Sequence, residues 1–307
     1  MITTTKPFNT FTWLQVHKMA PKDREQLYKQ YHISNELINY AIDPYESARI
    51  ELDDQAMLII FDVVTPTSSI ATTEPVGLLI DTNQQTLVTF TRDETSYITT
   101  YIEQIVAHYL QKQHQESTPV DVLISALTVL ASKFQSAILE INRRRNPIQR
   151  EIRLVKNTQG KVDELMDLQT DLIYLLNSLH TDFDLLSVLA KQQTIRLTPA
   201  QIELVEDTRV ELNQAIDTGE LSQMVTNQVA DSYANLANSN LNWTMKLLTV
   251  FTIVLTIPNI VSGFYGQNVA KLPWAGMRNS WLITIIIVII LMIVTIWLMW
   301  RSGFLKK

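Results

Sequence analysis

The chain has no cysteine and only seven glycines among 307 residues. The first absence excludes a disulfide framework and thiolate metal sites, and the second leaves little room for a glycine-rich phosphate loop. The five histidines, His17, His32, His108, His114 and His180, are scattered. None stands in an HxxxH or HExxH spacing, so ordinary surface and structural roles account for them and nothing marks a catalytic set; an enzyme is not expected. The amino terminus, MITTTKPFNTFTWLQV, lacks a basic start followed by an apolar run, which predicts that the large first part stays on the side where it is synthesised.

Acidic residues are also missing from the end of the chain. After Asn240 there are six basic residues, Lys246, Lys271, Arg278, Arg301, Lys306 and Lys307, and no acidic one. Residues 1–240 hold the other 19 basic and all 31 acidic residues, a formal charge of −12. So acidic a body argues against nucleic acid as a partner and suits the attraction of cations.

Charge of either sign is absent from Leu247 to Ala270 and again from Ser280 to Trp300. At roughly 1.5 Å per residue each run is long enough to cross a hydrocarbon core of about 30 Å, so a lipid bilayer is the expected surrounding. Two spans put both termini on one side, the cytoplasm of a cell membrane. The loop bases Lys271 and Arg278 against Arg301, Lys306 and Lys307 in the tail say little about orientation. Trp243, Trp274, Trp281 and Trp300 stand at the span ends, where interfacial aromatics belong. Asn242-Trp243-Thr244 matches a glycosylation sequon, but its place against the cytoplasmic face makes the match accidental.

Three regions follow: a cytoplasmic α/β domain over 1–117, a helical stalk over 118–240, and a transmembrane domain over 241–307 with spans at about 244–265 and 280–300. In the first, runs at Phe11–Val16, Ala56–Val64, Val76–Ile80 and Leu87–Phe90 predict strands, Asp81-Thr82-Asn83 predicts a turn, and Asp23–Tyr31 and Asn35–Ala41 predict helices. Beyond Thr118 the apolar period is helical. Val122, Leu123, Ala126, Leu127, Leu130 and Phe134 share one face, as do Leu172, Leu175, Leu176, Leu179 and Leu186. Thr118-Pro119 and Thr198-Pro199 read as helix starts, Pro147 as a break or kink, and Asn157–Gly160 as a turn between antiparallel helices. With only Gly219 to interrupt it, a single helix is expected from Pro199 through the first span. The basic group Arg143, Arg144, Arg145, Arg150 and Arg153 reads as a solvated face paired with acids, with anionic headgroups as the other reading.

Within the first span Asn242, Thr249, Thr252, Thr256, Asn259 and Gly263 fall on one helical face. Polar side chains facing lipid lack partners, so this stripe is expected to meet copies of itself or a column of water. Helix–helix packing through Thr, Asn and Gly explains a stripe equally well. The tetrapeptide Tyr265-Gly266-Gln267-Asn268 then closes the helix.

That ending resembles the YGMN signature of the CorA family of divalent-cation channels. The similarity runs back through MKLLTVFTIVLTIPNIVSGF (Met245–Phe264), LVEDTRVELNQAI (Leu204–Ile216) and RIELDDQAMLIIF (Arg49–Phe61). It implies a funnel-shaped homopentamer with an α/β cytoplasmic domain, a long α-helical stalk and two transmembrane helices. It further implies transport of Mg2+ as substrate with no organic cofactor, a selectivity filter at Gly266, Gln267 and Asn268, and a pore lined by Asn242, Leu248, Thr252, Thr256 and Asn259. Leu248 would be the hydrophobic gate near the cytoplasmic end. Neutral amide oxygens suit Mg2+, which surrenders water reluctantly.

The chain departs from the family pattern in several places. Gln267 replaces the methionine of the motif, and Thr256 stands where a bulky methionine is common. Of the carboxylates that form the family's regulatory metal site, Asp207 matches one, while Asn39 and Tyr40 occupy the place of the other and Asp43 is the nearest substitute. The loop Val269–Asn279 has no acid to concentrate cations. Two other functions stay open on sequence: a zinc, cobalt or nickel transporter of the ZntB branch, and a non-conducting membrane-anchored helical sensor that uses the stripe only for packing.

Overall fold

A computed structural model describes the chain except residues 7–10, 54–55, 66–71, 112–116, 154–157, 193–194, 270–271, 275 and 305–307. Contact density divides the chain into two units, Met1–Ala230 and Asp231–Lys307.

The first unit is built on six strands: β1 (Ile2–Thr5), β2 (Thr12–His17), β3 (Arg49–Asp53), β4 (Ala56–Val64), β5 (Thr73–Asp81) and β6 (Thr86–Thr91). Their order is β1-β2-β6-β5-β4-β3, antiparallel except where β2 pairs parallel with β6. The β5–β6 hairpin turns at Asp81, whose Oδ1 accepts the Asn83 and Gln84 amides at 2.8 and 2.9 Å. Met57 to Phe61 are all buried, a continuous run that requires cover on both faces of the sheet. On one face α1 (Pro21–Tyr31), α2 (Asn35–Ile42) and the link between them bring Leu27, Ile33, Leu37, Ile38 and Ala41 against Leu58, Ile60, Leu79 and Phe90. Gly77 lets α2 lie this close. A Cβ there would stand 2.9 Å from the Ala41 carbonyl oxygen and 2.7 Å from its Cβ. The alternate residues of β4 turn toward α4 (Pro119–Arg153) and α5 (Thr158–Ala190), and α3 (Tyr97–Gln111) packs on α4 and β6.

Helix α6 (Pro199–Tyr265) is 67 residues long, as the scarcity of stop signals predicts. Two equivalent capping boxes start α4 and α6. The Thr118 amide donates to Asp121 Oδ2 at 2.8 Å and the Thr198 amide to Gln201 Oε1 at 2.9 Å, with each threonine hydroxyl accepting in return. Gln201 Nε2 also reaches Asp121 Oδ1 at 2.6 Å, so the two starts are tied side by side. Further along, Thr128 and Thr208 hydroxyls meet at 2.7 Å, and Ser222 Oγ donates to Asn142 Oδ1 at 2.8 Å. These bonds fix the register of α6 on α4.

Four expectations need correction. Helix α4 continues past Pro147 to Arg153, because buried Ile141 and Ile148 flank the proline and offset its cost of about 3 kcal/mol. Helix α5 already includes Thr158, Gln159 and Gly160 of the expected turn, and Asn157 lies outside the described residues. The arginine group is not one solvated face: Arg145 is buried, donates from Nη1 to the Ser222 carbonyl at 3.3 Å, and has its pKa lowered by that burial. Strands β1 and β3 and helix α3 were not expected at all.

Among the described residues three helices are long and apolar enough to cross a membrane by length and composition: α4, α6 and α7 (Ser280–Arg301). Half of the apolar window of α4 is buried inside the protein, against 11% for α6 and none for α7. The apolar face of α4 is therefore used by the core of the first unit.

One buried pair stands apart in this core. Asp182 on α5 is fully buried; its Oδ1 accepts the Asp62 amide at 3.0 Å, and its Oδ2 has no hydrogen-bond partner. Burial first, then the neighbouring Asp62 carboxylate, raises its pKa well above the ordinary 3.8. A pKa raised by folding means that the folded state holds a proton that the unfolded chain releases. Stability is then fully present below about pH 4 and is lost as pH rises toward the folded value, at up to about 1.4 kcal/mol per pH unit. In divalent-free buffer, Asp182→Asn is expected to flatten this decline and raise the unfolding midpoint at pH 7, measured by thermal unfolding between pH 4 and 8; an unchanged pH profile would contradict the assignment.

Candidate ion-conduction site

In the second unit the part of α6 from Leu241 onward has two faces. Trp243, Leu247, Val250, Val254, Ile257, Pro258, Val261 and Tyr265 are buried or half-buried, with Val254 and Val261 the most enclosed. On α7 the half-buried positions are Ser280, Ile283, Thr284, Ile287, Val288, Met292, Thr295 and Met299. Both sets recur at helical spacing, so each helix turns one apolar seam inward. Lys246 Nζ lies 5.9 Å from the centre of the Phe304 ring, which brings the residues after α7 back to the start of this stretch of α6.

At about 100° per residue the stripe Asn242, Thr249, Thr252, Thr256, Asn259 and Gly263 falls roughly opposite that seam. Every one of these residues is exposed, and so is Leu248 on the same side. The stripe takes no part in packing within the chain. Its threonines satisfy themselves: Thr249, Thr252 and Thr256 donate to the carbonyls of Met245, Leu248 and Thr252 at 2.9, 2.9 and 2.7 Å. Each hydroxyl spends its only hydrogen on its own helix and leaves oxygen lone pairs pointing outward. The threonines of this face therefore offer acceptors outward, while the Asn242 and Asn259 amides add both an acceptor oxygen and N–H donors.

Pro258 lies inside the helix and removes one donor from the ladder, yet α6 continues to Tyr265. Ser262 Oγ donates to the Pro258 carbonyl at 2.5 Å, and the Gly266 amide to the Ser262 carbonyl at 2.8 Å. Gly266 eases this close approach, since a Cβ would come within 3.1 Å of that Ser262 oxygen. The chain then tightens, with Gln267 N bonded to Phe264 O at 3.4 Å and Val269 N to Gln267 O at 3.0 Å. Asn268 follows the helix end directly and is exposed. The carboxyl end of the helix carries about half a negative charge, so carbonyl dipoles and the Asn268 amide present partial negative charge at one place. Gly263 has open space around its Cα and admits a close neighbour.

The regulatory candidates lie in the first unit. Asp207 is exposed on α6. Asn39 is held through Oδ1 by Arg24 Nη2 at 2.5 Å, and Tyr40 donates its hydroxyl to Glu36 Oε1 at 3.0 Å beneath the Arg49 guanidinium, 4.4 Å from the ring centre. That hydrogen bond to Glu36, with the carboxylate's charge, raises the Tyr40 pKa. Asp43 caps the turn after α2 and accepts the Tyr45 amide at 2.9 Å. Among the described residues no group of three or more His, Asp or Glu side chains could hold a metal ion within one chain. Reading the sequence did not find the Asp62–Asp182 pair; the one available signal was an aspartate inside the apolar run AMLIIFDVV.

The family described as CorA-like Mg2+ transporter protein matches residues 8–301. The cobalt/magnesium transport protein CorA of Methanocaldococcus jannaschii is 24% identical over 301 residues, covering 97% of this chain and 93% of that one. The complete structure of the CorA magnesium transporter from the same organism superposes with a TM-score of 0.84 at 20% identity, over 96% of this chain and 92% of that one. The ZntB cytoplasmic domain from Vibrio parahaemolyticus is similar in fold, with a TM-score of 0.59 at 13% identity over 76% of this chain and 90% of the domain. With an α/β domain, long helices and an apolar last helix in the order of that full-length fold, and a family match over nearly its whole length, this chain belongs to the CorA family of divalent-cation transporters and is not an enzyme.

Proposed function

We propose that the chain conducts Mg2+ across the cell membrane through a homopentameric pore, with α6 as the inner helix, α7 as the outer one and both termini in the cytoplasm. The division into 1–117, 118–240 and 241–307 is then one of sensing domain, stalk and membrane domain. The observation that carries this reading is the exposed polar stripe of α6, with its threonine lone pairs and asparagine amides, placed opposite its apolar seam and ending at Gly266-Gln267-Asn268. A stripe that served only to pair α6 with α7 within one chain would lie on the seam.

In this reading five Asn268 amides and the helix-end dipoles grip a hydrated ion without stripping it, because Mg2+ dehydrates reluctantly. Asn242, Thr252, Thr256 and Asn259 line the conduit and Leu248 gates it by dewetting. An inside-negative potential contributes about 2.3 kcal/mol per charge per 100 mV, roughly 4.6 for a divalent ion, which suffices as driving force. Gln267 beside the filter favours comparison with the zinc-transporting branch, whose cytoplasmic domain shares the fold. Flux of Mg2+, Co2+, Ni2+ and Zn2+ into proteoliposomes ranks the ions and decides between the two.

Gating by cytoplasmic Mg2+ is weak in this reading. Arg24 and Arg49 engage the two residues that stand where a carboxylate is expected, so a cation bridging there to Asp207 of a neighbouring copy meets guanidinium charge.

Asn268→Ala is expected to cut Mg2+ flux at least tenfold while leaving the oligomer's elution volume unchanged; wild-type flux would remove Asn268 from the filter. Single cysteines at Thr252, Thr256 and Asn259, introduced into this cysteine-free chain, should react with water-soluble thiol reagents and block flux, whereas cysteines at Val254 and Val261 should not. Labelling without that helical period would support simple packing. Finally, Tyr40→Asp is expected to lower the internal Mg2+ needed for closure, and Arg49→Ala added to it should lower it further by freeing the new carboxylate. If current against internal Mg2+ is the same in all three proteins, Asp207 does not take part in sensing.

A further inference from the structure

Beside the buried pair lies a polar cavity of about 210 Å³, lined among others by Glu46, Asp62, Thr73, Asn177, Ser178 and Thr181. Among the described residues no lysine, arginine or histidine lines it. Asp62, largely buried, bonds its side chain to Ser178, whose Oγ meets Thr73 Oγ1 at 2.8 Å. Behind it, Asp182 is linked to Asp62 through the 3.0 Å amide bond and interacts with its carboxylate charge, while Oδ2 stays enclosed without a partner. The neighbouring acids are provided for: Glu74 pairs with Arg92 at 2.7 Å and Glu46 with Arg49 at 3.4 Å. Among the described residues no ion pair involves Asp62 or Asp182, and Tyr45 and Tyr174 are the remaining titratable groups on the cavity wall.

Two carboxyl groups this buried, with no ion pair of their own among the described residues, must either keep a proton or take a cation in its place. We propose that Asp62 and Asp182, with the Ser178 and Thr73 hydroxyls, form a divalent-cation site that fastens α5 to β4 and β5. The ligands are oxygens only, which selects a hard ion such as Mg2+ or Mn2+, and the cavity holds the waters such an ion retains. The ion displaces the proton that the carboxyl pair otherwise keeps, so binding releases protons and weakens as pH falls. This site lies within one chain and shares no residue with the conduction stripe or with Asp207.

The test uses the full-length protein in detergent, with bound Mn2+ counted by electron paramagnetic resonance at pH 8 and pH 5.5. Wild type is expected to bind one more Mn2+ per chain than Asp182→Asn at pH 8 and to lose that ion at pH 5.5. Asn268→Ala should keep it, so failure of the filter assignment and failure of this site read separately. Ser178→Ala, which leaves both carboxylates, should bind that ion about fivefold more weakly. Equal Mn2+ in wild type and Asp182→Asn at pH 8 overturns the proposal, and should Asp182→Asn fail to fold, unchanged affinity in Ser178→Ala does the same.

Discussion

A helix in hydrocarbon must satisfy its own polar groups, and the membrane part of α6 depends on this constraint throughout. Its threonine hydroxyls close onto carbonyls four residues back, Ser262 serves the carbonyl of Pro258, and Gly266 removes the Cβ that would press on Ser262. With the threonine hydrogens consumed inside the helix, those side chains turn only acceptor lone pairs outward. The same bonds make the threonines of the stripe tolerable in a membrane.

The first unit meets a related constraint by different means. Its sheet is covered on both faces, so β4 can be apolar for five residues in succession, and the helices that cover one face also hold α6. The bonds Gln201–Asp121, Thr128–Thr208 and Ser222–Asn142 are short and spaced along α4. Sliding α6 by one turn would break all three and bury their polar groups unpaired, at about 1–3 kcal/mol each. Such a junction resists gradual sliding and favours discrete arrangements, a property that gating by a long helix requires. The Asp62–Asp182 pair is the exception, a place where the enclosed Asp182 Oδ2, which has no hydrogen-bond partner, leaves room for a proton or a metal.

Legibility followed the strength of the local pattern. The strand Ala56–Val64 and the starts at Pro119 and Pro199 were read to the residue, because an unbroken apolar run and a Thr-Pro cap each specify a boundary locally. The missed elements carry weaker signals. Ile2–Thr5 is an edge strand of threonines, and Arg49–Asp53 alternates charge with apolar residues because its outer edge has no neighbouring strand. Helix α3 does carry a period, Ile98, Ile102 and Val106, although threonines and tyrosines interrupt it. Pro147 misled because tertiary packing of its neighbours outweighs the cost of a proline.

The sequence by itself determined the uncharged spans, the polar stripe, the closing Tyr265-Gly266-Gln267-Asn268 and the likeness to a transporter family, since each is a matter of composition and period along one element. Tertiary structure alone decided that the stripe lies opposite the α7 seam, that α4 spends its apolar face on the core, that Arg145 turns inward, and that Asp62 meets Asp182 across 120 residues of chain. These depend on which faces of separate elements meet, and that is settled by burying apolar area between them, a quantity that no single segment contains.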